Sequence, residues 1–292
     1  MNNLKKRLIT GSLIFAVFVG VILLTLLVHW VFFDVFVLAL ATIAAIEVSN
    51  AIGSKFPKPV LPIALVTLVL GYAGFVVSQE VWDIGGITTF FSVVLVMSLI
   101  LVFVSVFHKS IGTNNVVSTM FVLIYPICAL MYMMGFNHMH EPYRANAILM
   151  LFAVSPLTDT FAYFVGTTLK GKKLCPKISP NKTISGAIGG LIGGVLAGTL
   201  LFFLSKTGVG AALGMGPLSN GASNCINFIC VGLACSVATQ VGDLLASYIK
   251  RLVGIKDYSN LLPGHGGIMD RIDGMIVGAV VIFLYFSILM AI

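Results

Sequence analysis

Residues 87–107 read ITTFFSVVLVMSLILVFVSVF, 21 positions without a charged side chain. An α-helix rises about 1.5 Å per residue, so a run of this length covers the roughly 30 Å hydrocarbon core of a bilayer. An isolated segment in lipid satisfies its backbone polar groups internally only as a helix. The stretch therefore reads as a transmembrane helix, and the rest of the chain repeats its pattern. Comparable runs lie at 8–28, 31–51, 60–79, 116–134, 146–166, 184–204, 226–247 and 275–292, which makes nine spans. Turn and charge signals fill the breaks, as in Lys55–Pro59, Gln79–Gly86, Lys109–Asn115 and Asn137–Arg144. The predicted fold class is all-α, a polytopic integral membrane protein of about nine transmembrane helices.

Composition agrees. Of 292 residues, 59% are hydrophobic and 9% charged, and the mean hydropathy is +1.07. A soluble domain carries about 25% charged residues, and so few charges cannot cover a water-facing surface of this size. Lys and Arg number 17 against 10 Asp and Glu. In a membrane protein this excess marks inner loops and contact with anionic lipid, so no nucleic-acid partner is expected. With the N-terminus in the cytoplasm, 15 of the 17 basic residues fall inside, leaving Arg144 and Lys206 outside. Trp30 and Trp82 then fall at the outer interface. The run that follows Lys5, Lys6 and Arg7 is too long for the apolar core of a signal peptide, so it is expected to stay as the first span. The five cysteines include no C-x-x-C pair, and Cys225, Cys230 and Cys235 do not keep one helix face; they read as small apolar residues. The segment 205–225 reads as an outer loop. The predicted organisation is N-terminal helices over 1–110 and a catalytic region over 111–292, with inner loops at 167–183 and 248–274.

Polar residues concentrate in and beside those two loops. Asp159 and Asp243 lie inside predicted spans, where an ionisable group is costly and by default functional. Asp243, Ser247 and Lys250 share a helix face at i, i+4 and i+7, with Arg251 beside them, and Asp159 and Tyr163 form a similar stripe. The last inner loop contains Lys256 and then Leu262-Pro263-Gly264-His265-Gly266-Gly267-Ile268-Met269-Asp270-Arg271-Ile272-Asp273. Its glycines let backbone N–H groups approach a phosphate. Asp270 and Asp273, at i and i+3, are hard oxygen ligands of the kind Mg²⁺ prefers. Arg271 and the nearby lysines suit phosphate charge. The other loop offers Ser179-Pro180-Asn181-Lys182-Thr183, read as a proline turn that sets hydroxyls and a lysine before a glycine-rich helix. Acids for a divalent cation, bases for a polyphosphate and a setting at the membrane face imply phosphoryl or nucleotidyl transfer to a lipid.

These residues resemble a known family. Ser247-Tyr248-Ile249-Lys250-Arg251, Lys256-Asp257-Tyr258-Ser259 and the stretch 262–273 look like the signature of the phosphatidate cytidylyltransferases, or CDP-diglyceride synthetases. Asp159-x-x-Ala162-Tyr163-x-x-Gly166 and Ser179-Pro180-x-Lys182-Thr183-x-x-Gly186 are similar to that family too. The likeness covers roughly 155–274, with Glu47 as a further matching position. Two positions depart, Ser185 where the family often has glutamate and Thr167 where it often has a basic residue. The resemblance implies that CTP and phosphatidic acid give CDP-diacylglycerol and pyrophosphate at the inner face of a bacterial cytoplasmic membrane. It also implies Mg²⁺, with a possible second cation, and a homodimer among membrane lipids. Carried over, Asp243 and Asp270 are metal ligands with Asp159 and Asp273 nearby. Asp243, Asp270, Lys250 and Arg271 are the catalytic set. Ser179, Lys182, Thr183, Ser247, Arg251, Lys256, Gly266 and Gly267 bind substrate, while His265 either contacts phosphate or shapes the loop. The rival readings are a CTP-dependent polyprenol or lipid kinase and an ion-coupled transporter. The signature spacing argues against the first, and the absence of two similar halves against the second.

Overall fold

The computed structural model of the protein describes residues 3–80 and 85–291, with side chains from Ile9 onward. Among these residues nine helices are long and apolar enough to cross a membrane. They are built from α1 (Asn3–Leu27), α2 (Val31–Gly53), α3 (Leu61–Glu80), α4 (Gly86–Phe107), α5 (Thr113–Val122) continued by α6 (Ala129–Asn137), α7 (Tyr143–Leu169), α8 (Ile184–Leu204), α10 (Ser223–Val253) and α11 (Met269–Ala291). A short helix, α9 (Gly208–Ala212), lies within the predicted loop 205–225. Trp82 lies outside the described residues.

Successive spans run up and down, so the connections gather at two ends. At one end Lys55 Nζ donates to the Leu252 carbonyl at 2.8 Å and Asn115 Nδ2 to the Lys58 carbonyl at 2.9 Å. Arg251 Nε reaches the Ile178 carbonyl of the same end at 3.4 Å. The connection between α7 and α8 is an antiparallel hairpin, β1 (Lys173–Cys175) with β2 (Ser179–Thr183), in place of the predicted proline turn. Pro180 is tolerated because a two-stranded ribbon leaves outward N–H positions that need no partner.

Helices α7, α8 and α10 meet through small residues. A Cβ at Gly198 would stand 2.3 Å from the Phe228 carbonyl oxygen, and one at Gly194 2.4 Å from the Ser236 Cβ. Lipid supplies no hydrophobic drive between helices, so close backbone approach and hydrogen bonds hold them. Ser236 Oγ donates across this contact to the Gly190 carbonyl at 2.9 Å.

The structure corrects three expected boundaries. The span predicted at 116–134 runs from Thr113 to Asn137 and is interrupted by a widened π turn at Leu123–Cys128, which contains Pro126. Proline has no N–H for the helical ladder and crowds the preceding turn, so the backbone opens there. Helix α10 continues to Val253 and stops at Gly254, whose φ of 81° ends the helix in the left-handed region. Helix α11 begins at Met269, not 275, so Asp270 and Asp273 belong to its first turns and the predicted loop 248–274 shrinks to 254–268. Both aspartates face protein partners instead of lipid.

Candidate active site

The N-terminus of α11 is set by an acid from the far end of the chain. Glu47, buried on α2, accepts from the Met269 N–H at 2.8 Å, the Ile268 N–H at 3.1 Å and the Ser259 hydroxyl at 2.6 Å. A helix start leaves N–H groups unpaired and carries partial positive charge, so a carboxylate there meets both needs. The approach leaves no room at Gly267, where a Cβ would lie 2.6 Å from both Glu47 carboxylate oxygens.

Asp270 organises the preceding loop from the other side. Its carboxylate accepts from Lys250 Nζ at 2.7 Å, the Tyr258 N–H at 2.8 Å and the Gly267 N–H at 2.9 Å. Gly266 adopts a φ of 81°, open to glycine at little cost, and this turns the loop back over Asp270. Thus a backbone N–H that sequence reasoning offers to a phosphate is engaged by the protein's own carboxylate. Tyr258 is buried in this loop, and burial raises its phenol far above the ordinary value, so the group is a neutral O–H. Lys250 Nζ lies 5.4 Å from the centre of its ring.

The remaining acids gather beside this loop. Asp273 stands 3.8 Å from Lys250 Nζ and accepts from the Gly274 N–H at 2.8 Å. Asp243 on α10 pairs with Lys182 of the hairpin. Asp159 on α7 lies within electrostatic range of Asp243, Lys182 and Arg271, and Asp273 within range of Asp243, Lys250 and Asp159. Four aspartates from three helices therefore share one end of the bundle with Lys182 of the hairpin, Lys250 of α10 and Arg271 of α11. Among the described residues no three of His, Cys, Asp and Glu are already gathered closely enough to hold a metal ion. The donor set nevertheless suits a hard divalent cation: ammonium groups stand against Asp243, Asp270 and Asp273, where metal charge would serve the same purpose.

The other sequence candidates fall into distinct positions. Thr183 caps α8 by accepting from the Gly186 N–H at 3.0 Å. Ser179 stands half-buried at the start of β2, and Ser247 half-buried on α10 between Asp243 and Lys250. Arg251 ties the end of α10 to the hairpin and also donates to the Ile255 carbonyl at 3.0 Å. Lys256 and Arg271 are exposed. The His265 ring faces α1, with Nε2 3.4 Å from where a Cβ on Gly11 would be. At the two departures, Ser185 donates to the Lys170 carbonyl, while the Thr167 hydroxyl turns back on its own helix at the Tyr163 carbonyl. Sequence reasoning quoted Ser259 within the signature without giving it a role and passed over Tyr125, which lies in an apolar run.

Comparison with known proteins identifies the family. The profile described as the cytidylyltransferase family matches residues 5–289. The chain belongs to that family. A protein named phosphatidate cytidylyltransferase from Bacillus subtilis is 28% identical over 287 residues, 98% of each chain. One so named from Brucella abortus is 39% identical over 146 residues, 50% of this chain and 48% of the relative. Another from Rickettsia bellii is 34% identical over 143 residues, 49% of this chain and 58% of the relative. This chain thus spans about half the length of the curated Brucella relatives it matches. As a cytidylyltransferase-family member, it brings Asp159, Asp243, Asp270 and Asp273 together with Lys182 and Lys250 at one end of the bundle.

Proposed function

We propose that this chain is a phosphatidate cytidylyltransferase. A phosphatidate oxygen attacks the α-phosphorus of CTP, the bond to the β-phosphate breaks, and CDP-diacylglycerol and pyrophosphate form. The reading is carried by one observation, the convergence of Lys182 and Lys250 on Asp243, Asp270 and Asp273 at the end of the bundle. Anionic substrates draw such lysines away from their acids. Lys182, Lys250, Arg251 and Arg271 then hold phosphates, with Lys256, Ser179 and Ser247 alongside. Thr183, Gly266 and Gly267 keep the surrounding backbone in place. Asp243 and Asp270, with Asp159 and Asp273, would hold Mg²⁺. When bound, the cation neutralises charge on the reacting phosphates. A phosphate monoester oxygen is already nucleophilic, so the residues bind and align the reactants and need supply no base. The basic loops favour a cytoplasmic site in a bacterial inner membrane, and the family likeness favours a homodimer.

The test incubates purified protein in phosphatidate–detergent micelles with CTP labelled in its α-phosphate, with and without Mg²⁺. Label is expected to enter the lipid phase as CDP-diacylglycerol only with Mg²⁺. Asp243→Asn is expected to lower the rate about 100-fold, the scale on which lost electrostatic stabilisation acts. Release of CDP with a newly phosphorylated lipid would instead assign a kinase.

A further inference from the structure

Tyr125 belongs to no motif, yet the fold makes special provision for it. It sits within the widened turn Leu123–Cys128, immediately before Pro126. Turns of this kind re-aim side chains out of the regular helical pattern and concentrate at functional sites. Here the turn brings Tyr125 within electrostatic range of Asp243, Asp270 and Asp273 and beside Tyr258. The two rings are 7% and 6% exposed, their hydroxyls face each other, and neither reaches a hydrogen-bond partner elsewhere. Two phenols that meet only each other leave one buried O–H without an acceptor, and phenylalanine would fill the same space without that cost. Two such hydroxyls side by side, next to the acids and under Lys250, describe a place kept for an oxygen acceptor. A carboxylate would already satisfy them if one were correctly aimed, and none is. A phenol also suits the location, because it donates to an anion without adding charge to a corner crowded with aspartates.

We propose that Tyr125 and Tyr258 contact substrate, each donating its O–H to an oxygen of the phosphate group bound over Asp243, Asp270 and Asp273. The inference rests on the nucleotidyl-transfer reading above. The phosphate belongs either to the nucleotide or to the lipid, and kinetics separate the two. Binding would then bridge the interrupted α5–α6 span to the loop before α11, since Tyr258 is held there by its N–H on Asp270.

The experiment compares wild type, Tyr125→Phe and Tyr258→Phe in the same micelles, measuring kcat, KM for CTP, KM for phosphatidate and thermal unfolding. Each variant is expected to lose about tenfold in kcat/KM, as for one hydrogen bond to a charged acceptor. The unfolding temperature is expected to hold, because the hydroxyl removed has no contact within the protein beyond the other phenol. A raised KM for CTP assigns the nucleotide phosphate, and a raised KM for phosphatidate assigns the lipid phosphate. Wild type that forms no CDP-lipid would refute the nucleotidyl-transfer reading itself. Variants as active as a working wild type would refute the role of the hydroxyls. So would an activity loss that tracks a fall in unfolding temperature, which marks a packing role alone.

Discussion

Two clusters of acids stand at opposite ends of this molecule, and they are built on different principles. At the end away from the candidate site, Asp34 on α2 is fully buried and fully served. It accepts from Asn137 Nδ2 at 2.8 Å, meets His138 Nε2 at 2.9 Å and takes the Tyr72 hydroxyl at 3.3 Å. Trp30 and Phe75 enclose the imidazole, whose other nitrogen lies 3.4 Å from Glu80. At the other end, Asp243 and Asp273 rest against the ends of flexible lysines, and the Tyr125 and Tyr258 hydroxyls meet only each other. Fixed aromatic and amide partners make Asp34 a structural brace. Replaceable partners and unfilled donors leave the second cluster able to exchange its contacts for a ligand's. What separates function from framework is thus how completely each acid is satisfied, since Asp34 and Asp243 both lie within predicted spans.

The contrast breaks most sharply at Asp270→Asn. Replacing this acid leaves Lys250 without its nearest charge partner, and activity should fall about 100-fold or more. Loss of a buried pair also costs about 3 kcal/mol, read in thermal unfolding. Equal activity in that variant would return Asp270 to the framework class. Glu47→Gln sharpens the middle ground: the amide retains one acceptor oxygen but loses the charge facing the start of α11. Turnover should drop about tenfold, with a stability loss near 1–2 kcal/mol, as when a charge-assisted hydrogen bond is weakened. Asp34→Asn should have the smallest effect on chemistry. It should lower stability by about 2 kcal/mol, while the rate per folded molecule stays within about twofold of wild type. A large loss of turnover there, at unchanged folded fraction, would erase the distinction between the two ends.

The spans were readable because hydropathy is summed over about twenty residues, and no single side chain decides the sum. The residues at 87–107 need only be apolar, and α4 follows at Gly86–Phe107. The start of α11 was obscured because Asp270 and Asp273 resemble loop residues until their partners Lys250, Tyr258 and Gly267 are known. The hairpin was missed because three- and five-residue strands carry too few positions for an alternation to register. In the site, the charged residues stood out against a lipid-like background. Tyr125 did not, for a phenol inside 116–134 looks like any other apolar ring. Its importance comes from the π turn, a backbone event that hydropathy does not encode.

Glu47 and Met269 touch although 222 residues separate them along the chain. A chain is inserted from its N-terminus, so α2 waits through the synthesis of seven further spans before its carboxylate meets the helix it caps. The loop that carries Tyr258 and Gly267 can therefore take its final shape only when the last span is in the membrane. Chains that stop short of α11 would hold Asp159, Asp243, Lys182 and Lys250 without Asp270, Asp273 and the geometry they impose, so competence would arrive in one late step of biogenesis.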